Sequence, residues 1–176
     1  MGMLEGKVVA VTGAGRGVGR EIALLCASHG AAVVVNDPGV GGGGEGGDAG
    51  PAQQTVDDII AAGGKAHANL ASVADPAGAT SIVEDAVQRF GRIDAVVNNA
   101  GILRDAIWHK LSFEDWRAVI DVHLHGAFLV SKAATPHFRE QGSGSFIHIT
   151  STSGLIGNIG QANYSAAKMG ITGLSR

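Results

Sequence analysis

The sequence predicts an α/β fold built on a doubly wound parallel β-sheet, and three observations support that prediction. Short apolar segments of strand length alternate along the 176 residues with longer segments of helical periodicity, as in sheets whose crossovers are helices. The strand segments are continuously apolar, which is typical of strands covered on both faces. Hydrophobic residues make up 45% of the chain, so a sizeable core can be buried.

The strands are expected where β-branched and other apolar residues cluster, at residues 7–11, 32–36, 65–69, 93–97 and 145–150. The first of these runs directly into glycines, and the third is the weakest. At least five strands are therefore predicted.

The helices are expected at residues 17–29, 51–62, 76–90 and 113–140, with a last helix from residue 162. Pro51 suits the first turn of its helix, and the Gly-Gly pair after residue 62 ends it. Gly91 is the C-terminal signal of the next helix. Ser112 and Asp115 resemble a capping box, in which the hydroxyl accepts from a helix amide and Asp115 reaches back.

Glycine is the most unusual residue of the chain, at 28 of 176 residues against a usual level of roughly 7%. Eight of these glycines fall between residues 39 and 50, which predicts a flexible loop after the second strand. Two interpretations are open for this loop. It is either a tolerated surface insertion or a segment that shapes the entrance to a cofactor or substrate site.

Charge and cysteine content exclude several classes of protein. The net charge of −3 gives no basic surface for nucleic acid or anionic lipid. The single cysteine excludes an internal disulfide framework and fits a reducing compartment. No apolar run approaches the roughly 18 residues of a membrane span, and the N-terminus lacks a signal-peptide core. The seven histidines lack metal-binding spacing, so we expect a cytoplasmic globular protein without a metal.

A glycine-rich turn between the first strand and the first helix predicts a dinucleotide-binding site. Residues 12–19 are TGAGRGVG, and such glycines permit a sharp turn and close approach of a pyrophosphate. The helix N-terminus then offers unpaired N–H groups to the negative charge. The residues expected to contact the cofactor here are Gly13, Gly15, Arg16, Gly17, Val18 and Gly19.

Asp37 ends the second strand, where a carboxylate can accept hydrogen bonds from the adenosine ribose. A carboxylate at this position also repels a 2′-phosphate, which favours NAD over NADP. Arg16 favours the opposite choice, because a guanidinium in the glycine turn can pair with that phosphate. Alternatively, Arg16 is a solvated loop charge. The sequence favours NAD and leaves NADP possible.

Three short motifs follow one another along the chain: TGAGRGVG at residues 12–19, NNAG at 98–101 and YSAAK at 164–168. In this order they resemble the short-chain dehydrogenase/reductase family. The longer stretches NNAGILRD and GQANYSAAK are most similar to the (3R)-hydroxyacyl-CoA dehydrogenase domain of multifunctional β-oxidation enzymes and to bacterial 3-oxoacyl reductases. The resemblance implies a Rossmann-type fold, a nicotinamide cofactor and a homo-oligomer, dimeric or tetrameric.

Tyr164 and Lys168 are four residues apart, so on a helix their side chains share one face. A phenol has a pKa of about 10, and its use as a base near neutral pH requires cationic neighbours. The resemblance implies that Tyr164 exchanges the hydroxyl proton of the substrate while Lys168 tunes the phenol and holds the nicotinamide ribose. It also implies that Ser151 hydrogen-bonds the substrate oxygen. Alternatively, the hydroxyls of residues 150–153 satisfy loop backbone groups.

Two positions depart from the family pattern. Many members carry an asparagine in the fourth helix that helps hold a water for proton relay, and here His123 stands at that position. It is either a proton shuttle or a helix histidine with satisfied hydrogen bonds. Many members place an aspartate after the third strand to hold adenine, and here Ala71 replaces it, so backbone groups or Ser72 are expected to act instead. The NNAG turn, with Asn98, Ala100 and Gly101 as its cofactor-site residues, is expected to support the cofactor cavity and the central strand.

These observations predict one dinucleotide-binding domain over residues 1–176, C-terminally incomplete because family members continue through two more strands and a substrate-covering segment. The predicted function is an NAD-dependent oxidoreductase that interconverts a secondary alcohol and a ketone. Its expected small-molecule substrate is a 3-hydroxyacyl or 3-oxoacyl thioester or a hydroxysteroid. The alternatives are an NADP-dependent 3-oxoacyl reductase and a non-catalytic dinucleotide-binding module. The intact Tyr164 and Lys168 count against the second alternative.

Overall fold

The computed structural model describes residues 2–176, which contain a five-stranded sheet in the order β3-β2-β1-β4-β5. The strands are β1 (Val8–Thr12), β2 (Ala32–Asn36), β3 (Lys65–Asn69), β4 (Ala95–Asn98) and β5 (Ser145–His148). All four neighbouring pairs are parallel. The strand order reverses between β1 and β4, so the predicted doubly wound parallel sheet is confirmed.

Helices cover both faces of the sheet. They are α1 (Gly17–Ser28), α2 (Gly50–Ala61), α3 (Pro76–Phe90), α4 (Phe113–Ile120), α5 (Gly126–Gln141), α6 (Thr152–Ile156) and α7 (Ala162–Leu174). A 3₁₀ turn (Trp108–Lys110) precedes α4, and a π-helical turn (Asp121–His125) joins α4 to α5. Among residues 2–176, no helix has both the length and the apolar character needed to cross a membrane.

The core lies on both sides of the central strands, because alternate side chains of a strand point to opposite faces. Val8 and Ala10 of β1 pack with the buried side chains of α3 and α5. Val9 and Val11 pack on the other face with α1 and α2. The continuously apolar pattern of these strands therefore corresponds to a two-sided core.

The edge strands are less buried than the prediction of uniformly covered strands implies. Lys65 of β3 is exposed, and Phe146 and Ile147 of β5 are 41% and 40% exposed. The physical reason is that side chains at the two ends of the sheet are covered less completely by the flanking elements than those of the central strands. β3 and β5 nevertheless have the predicted starting residues, although β5 ends at His148 instead of residue 150.

The prediction of one continuous α-helix over residues 113–140 is wrong in the middle of that range. The π-helical turn Asp121–His125 interrupts it, and such a turn changes the direction in which its side chains point. His123 is 4% exposed while His125 is exposed. Ser112 begins α4 as expected, since its hydroxyl accepts from the N–H of Asp115 at 3.0 Å. The Asp115 carboxylate, however, accepts from the Ser112 hydroxyl and not from a backbone amide.

Candidate active site

Segments that follow all five strands line one cavity of about 720 Å³. These segments contribute Gly13 after β1, Asp37 after β2, Ser72 after β3, Asn99 after β4 and Ile149 after β5. Tyr164 and Lys168 of α7 line the same cavity. In open parallel sheets, ligands bind outside the carboxyl ends of the strands where the strand order reverses, so the cavity lies where a ligand is expected.

The cavity brings together eight of the residues predicted for the site. They are Gly13, Arg16, Asp37, Ser72, Ala100, Gly101, Tyr164 and Lys168. The other glycine-turn residues form the turn and the start of α1 without lining the cavity, namely Gly15, Gly17, Val18 and Gly19. Asn98 and Ser151 do not line it either.

Gly13 and Gly19 of the glycine turn leave no room for a side chain. Gly13 has φ of +64°, and a Cβ there would lie 2.8 Å from the Cα of Ala100. A Cβ on Gly19 would overlap the carbonyl oxygen of Gly13. Among the described residues, no side chain caps the start of α1 and its first turn carries no acid. A bare backbone and a helix N-terminus without a side-chain acceptor fit a pyrophosphate group.

Two residues without a predicted role hold this turn against the segment after β4. The Thr12 hydroxyl accepts from the N–H groups of Asn99 and Ala100 at 3.1 and 3.0 Å. The Asn99 amide donates to the carbonyl oxygens of Thr12 and Gly13, each at 3.0 Å. The signal for this contact was the position of both residues at the ends of adjacent parallel strands.

Asn98 does not line the cavity. It is 7% exposed, and its amide donates to the Ser131 hydroxyl on α5 at 3.0 Å. Because successive side chains alternate between the faces of a strand, Asn98 points into the core while Asn99 faces the cavity. Asn98 therefore ties β4 to α5.

Asp37 is fixed at the end of β2 by two backbone amides. One carboxylate oxygen accepts from Gly15 at 2.9 Å and the other from Gly39 at 2.8 Å. A Cβ on Gly15 would lie 2.9 Å from the carboxylate, so the glycine is needed for this approach. Each oxygen keeps acceptor capacity for a hydroxyl in the cavity. Arg16 is exposed and lines the same cavity.

The loop after β3 is held by a buried amide. Asn36, fully buried, donates to the Ala71 carbonyl at 2.8 Å and to the Asn69 side chain at 3.0 Å. Ser72 lines the cavity, and its hydroxyl accepts from the N–H of Ala74 at 3.3 Å. Where the family pattern has an aspartate, this chain therefore offers an ordered backbone and one hydroxyl.

Tyr164 and Lys168 lie together on α7, as their spacing predicts. The Lys168 ammonium is 5.6 Å from the centroid of the Tyr164 ring and donates to the Ile149 carbonyl. Tyr164 is half-buried and Lys168 is 3% exposed. Burial lowers the pKa of Lys168 to about 8. The cavity thus holds a phenol with a buried cation beside it.

Ser151 lies at the start of α6, where its hydroxyl accepts from the N–H of Ser153 at 3.2 Å. The neighbouring Thr150 hydroxyl donates to the Lys168 carbonyl at 3.0 Å. Both hydroxyls therefore serve backbone groups in this structure. The short helix α6 was not predicted, and it begins directly at the predicted catalytic serine.

His123 points from the π-helical turn toward the segment after β4. Its Nε2 lies 2.9 Å from the carbonyl oxygen of Ile102 and 3.1 Å from the N–H of the same residue. Its ring meets Tyr164 edge to face at 5.2 Å, and its Nδ1 has no hydrogen-bond partner among residues 2–176. Burial, assisted by the Lys168 charge, lowers the pKa of His123 to about 4. The imidazole is therefore neutral at physiological pH.

Residues 7–176 match the family model of the short chain dehydrogenases. The chain belongs to the short chain dehydrogenase family. It is 50% identical over 97% of its length to the peroxisomal multifunctional enzyme type 2 of Drosophila melanogaster, of which it spans 28%. It is 43% identical over its whole length to the 3-oxoacyl-[acyl-carrier-protein] reductase of Synechocystis, of which it spans 68%.

The fold has a close counterpart in a solved structure. A crystal structure of a short chain dehydrogenase from Mycobacterium avium matches 99% of this chain with a TM-score of 0.91 and 48% identity. The chain spans 62% of that protein. The predicted resemblance to this oxidoreductase family, including its multifunctional and 3-oxoacyl reductase members, is confirmed.

This short chain dehydrogenase should lose stability as the pH falls from 6.5 toward 4. In that range the unfolded chain binds a proton at His123 that the folded protein excludes, because its pKa drops from 6.5 to about 4 on folding. The stability contributed by neutral burial is complete above pH 6.5 and falls by on the order of 3 kcal/mol by pH 4. Urea unfolding at several pH values measures this fall.

The matched comparison uses His123→Gln and His109→Gln, since His109 is exposed. We expect the acid-dependent fall to be smaller in His123→Gln and unchanged in His109→Gln. Equal pH slopes in wild type and His123→Gln would contradict the assignment of this fall to His123.

Proposed function

We propose that the protein carrying this chain is an NAD-dependent oxidoreductase that interconverts 3-hydroxyacyl and 3-oxoacyl thioesters. The observation that carries the proposal is one cavity lined by the glycine turn, the fixed carboxylate of Asp37 and the Tyr164–Lys168 pair. The Synechocystis relative, named a 3-oxoacyl-[acyl-carrier-protein] reductase, supports the thioester class.

The residues present fit a nicotinamide dinucleotide. The glycine turn, where a Cβ on Gly13 or Gly19 has no room, suits the pyrophosphate, and Asp37 suits the adenosine ribose. When bound, such a cofactor supplies or accepts the hydride at the carbon that bears the substrate oxygen.

The proton is handled by residues of the chain. In the direction of oxidation, the Tyr164 oxygen takes the hydroxyl proton of the alcohol while the carbon that bears this hydroxyl loses hydride. In the direction of reduction, Tyr164 returns the proton to the substrate oxygen. The Lys168 ammonium, held beside the ring by the Ile149 carbonyl, favours the phenolate that this transfer requires.

The preference for NAD rests on the fixed charge of Asp37. Hydrogen bonds from Gly15 and Gly39 hold the carboxylate at the end of β2, and turning it away from a 2′-phosphate would break them. Two negative groups at close range repel each other by several kcal/mol at the dielectric of a protein surface, about 4 kcal/mol at 4 Å. A 2′-hydroxyl, in contrast, can donate to the same carboxylate.

Replacing Asp37 by asparagine should reduce the ratio of kcat/KM for NAD⁺ to that for NADP⁺ by about tenfold or more, because the repulsive charge is removed. Asp37→Ala should act in the same direction. Asp57→Asn, on an exposed position of α2, is the control and should leave the ratio unchanged. A ratio that stays constant in Asp37→Asn would contradict the role of this carboxylate.

The second candidate is an NADP-dependent 3-oxoacyl reductase, and it is favoured by the position of Arg16, a cationic residue that lines the cavity. Turnover of a 3-hydroxyacyl thioester with each oxidised cofactor distinguishes the two. Faster turnover with NADP⁺ would select the second candidate. Cofactor binding without turnover of any thioester, hydroxysteroid or simple secondary alcohol would instead indicate a non-catalytic dinucleotide-binding module.

A further inference from the structure

The glycine-rich loop borders the cavity and contacts the segment after β4. Its residues 39–45, which we call the strap, run from Asp37 to the segment after β4. The Gly42 carbonyl accepts from the N–H of Leu103, and the Gly43 carbonyl accepts from Nε of Arg104, each at 2.8 Å. Val40, Gly41, Gly42 and Gly44 line the cavity. These contacts favour the second interpretation of the loop over a free surface insertion.

Arg104 connects the strap to the rigid part of the molecule. One guanidinium nitrogen bonds the strap, and Nη1 donates to Asp115 at the start of α4 at 3.0 Å. The Arg104 carbonyl accepts from Asn163 on α7 at 2.9 Å. Its side chain is 21% exposed, and the planar guanidinium fork suits two such bonds at once.

The strap itself contains neither helix nor strand. Its attachment to the segment after β4 consists of hydrogen bonds to two strap carbonyls, an ion pair of 3.7 Å between the exposed Glu45 carboxylate and Arg104, and the close packing of Gly44 on Ile102. Segments held by so few contacts open locally at low free-energy cost, and loops that cover ligands commonly move on the microsecond-to-millisecond timescale.

We propose that the strap closes over the bound dinucleotide and that Arg104 is the positioning residue that holds it closed. A dinucleotide that reaches from Asp37 to Tyr164 occupies the cavity that the strap borders. Breaking the Arg104–Gly43 bond then governs how fast the cofactor leaves. This inference rests on the proposed function, since it requires a dinucleotide in this cavity.

The first test measures NADH dissociation from the full protein by stopped-flow fluorescence, with excess NAD⁺ as the displacing ligand. Arg104→Gln should release NADH about tenfold faster, the effect of losing one charge-assisted hydrogen bond. The control is Arg92→Gln, which also removes a guanidinium that makes two hydrogen bonds, here both to Asp94 and outside the cavity. It should release NADH at the wild-type rate.

A second pair of variants changes the strap instead of its anchor. Gly44 and Gly46 have φ of +87° and +83°, so alanine strains the backbone equally at both. A Cβ on Gly44 would lie 2.9 Å from Ile102, whereas a Cβ on Gly46 would meet nothing within 4 Å. Gly44→Ala should accelerate NADH release severalfold more than Gly46→Ala does. If Arg104→Gln fails to fold, this pair of variants still tests whether the strap controls NADH release.

The outcomes separate the two proposals. The proposal that Arg104 holds the strap closed over the cofactor would be overturned by unchanged NADH release in folded Arg104→Gln. Equal changes in Arg104→Gln and Arg92→Gln would overturn it too. Equal release from Gly44→Ala and Gly46→Ala would overturn it as well. Failure of the wild-type protein to bind NADH or NADPH would overturn the proposed function itself.

Discussion

Replacing Tyr164 by phenylalanine should lower turnover by about 10²- to 10⁴-fold, the usual effect of losing a general acid–base group. Phenylalanine keeps the ring that packs edge to face with His123 at 5.2 Å and lies 5.6 Å from the Lys168 ammonium. Only the phenolic oxygen, and with it the proton transfer, is removed. Cofactor binding and the free energy of unfolding should therefore stay close to wild type.

The measurement combines steady-state kinetics with NADH titration. Ser165→Ala, which removes the neighbouring hydroxyl on α7, is the matched control and should keep wild-type turnover. If Tyr164→Phe binds NADH normally and retains more than about a tenth of wild-type turnover, proton transfer by Tyr164 is excluded, because the expected loss is at least a hundredfold.

The fold could be predicted from the sequence because its determinants are local. Alternating apolar strands and capped helices mark α/β units wherever they occur, and the predicted β2 and β3 have the observed bounds. The π-helical turn could not be predicted, since His123 is oriented by contacts with Ile102, 21 residues away. A local pattern contains no information about such a partner.

The same distinction applies to the site. The pairing of Tyr164 with Lys168 could be predicted from their helical spacing. The glycine turn could be predicted from its position directly after a strand. Thr12 and Asn99 are 87 residues apart, and Arg104 lies 61 residues from Gly43, so only the folded chain joins them. Asn98 shows a further limit of prediction from the sequence, because a shift of one residue along a strand moves a side chain to the other face of the sheet.

Replacing Lys168 by methionine should lower turnover by about a hundredfold or more, because the phenolate of Tyr164 loses its cationic neighbour. Methionine preserves most of the buried apolar stem at a position that is 3% exposed. The loss of turnover is therefore assigned to the charge. Lys132→Met is the control, since the Lys132 ammonium also lies 5.6 Å from an aromatic ring, that of Phe128, but on an exposed surface.

The same variant has a second, independent effect on stability. The pKa of Lys168 is about 8 in the folded protein against 10.5 for an ordinary lysine. Between these values the unfolded chain binds more protons, so the stability of the wild type rises with pH. The rise amounts to on the order of 3 kcal/mol and is absent below pH 8, where the cost of burying the ammonium is fully present.

Urea unfolding from pH 7.5 to 10.5 should therefore show a steeper rise for wild type and Lys132→Met than for Lys168→Met, with the range set by the two pKa values. Turnover of the wild type should fall as the pH rises through about 8, where the folded protein loses the Lys168 ammonium. The two readouts answer different questions. Parallel stability curves would show that folding does not lower the pKa of Lys168, whereas full turnover in Lys168→Met would show that the charge is not used.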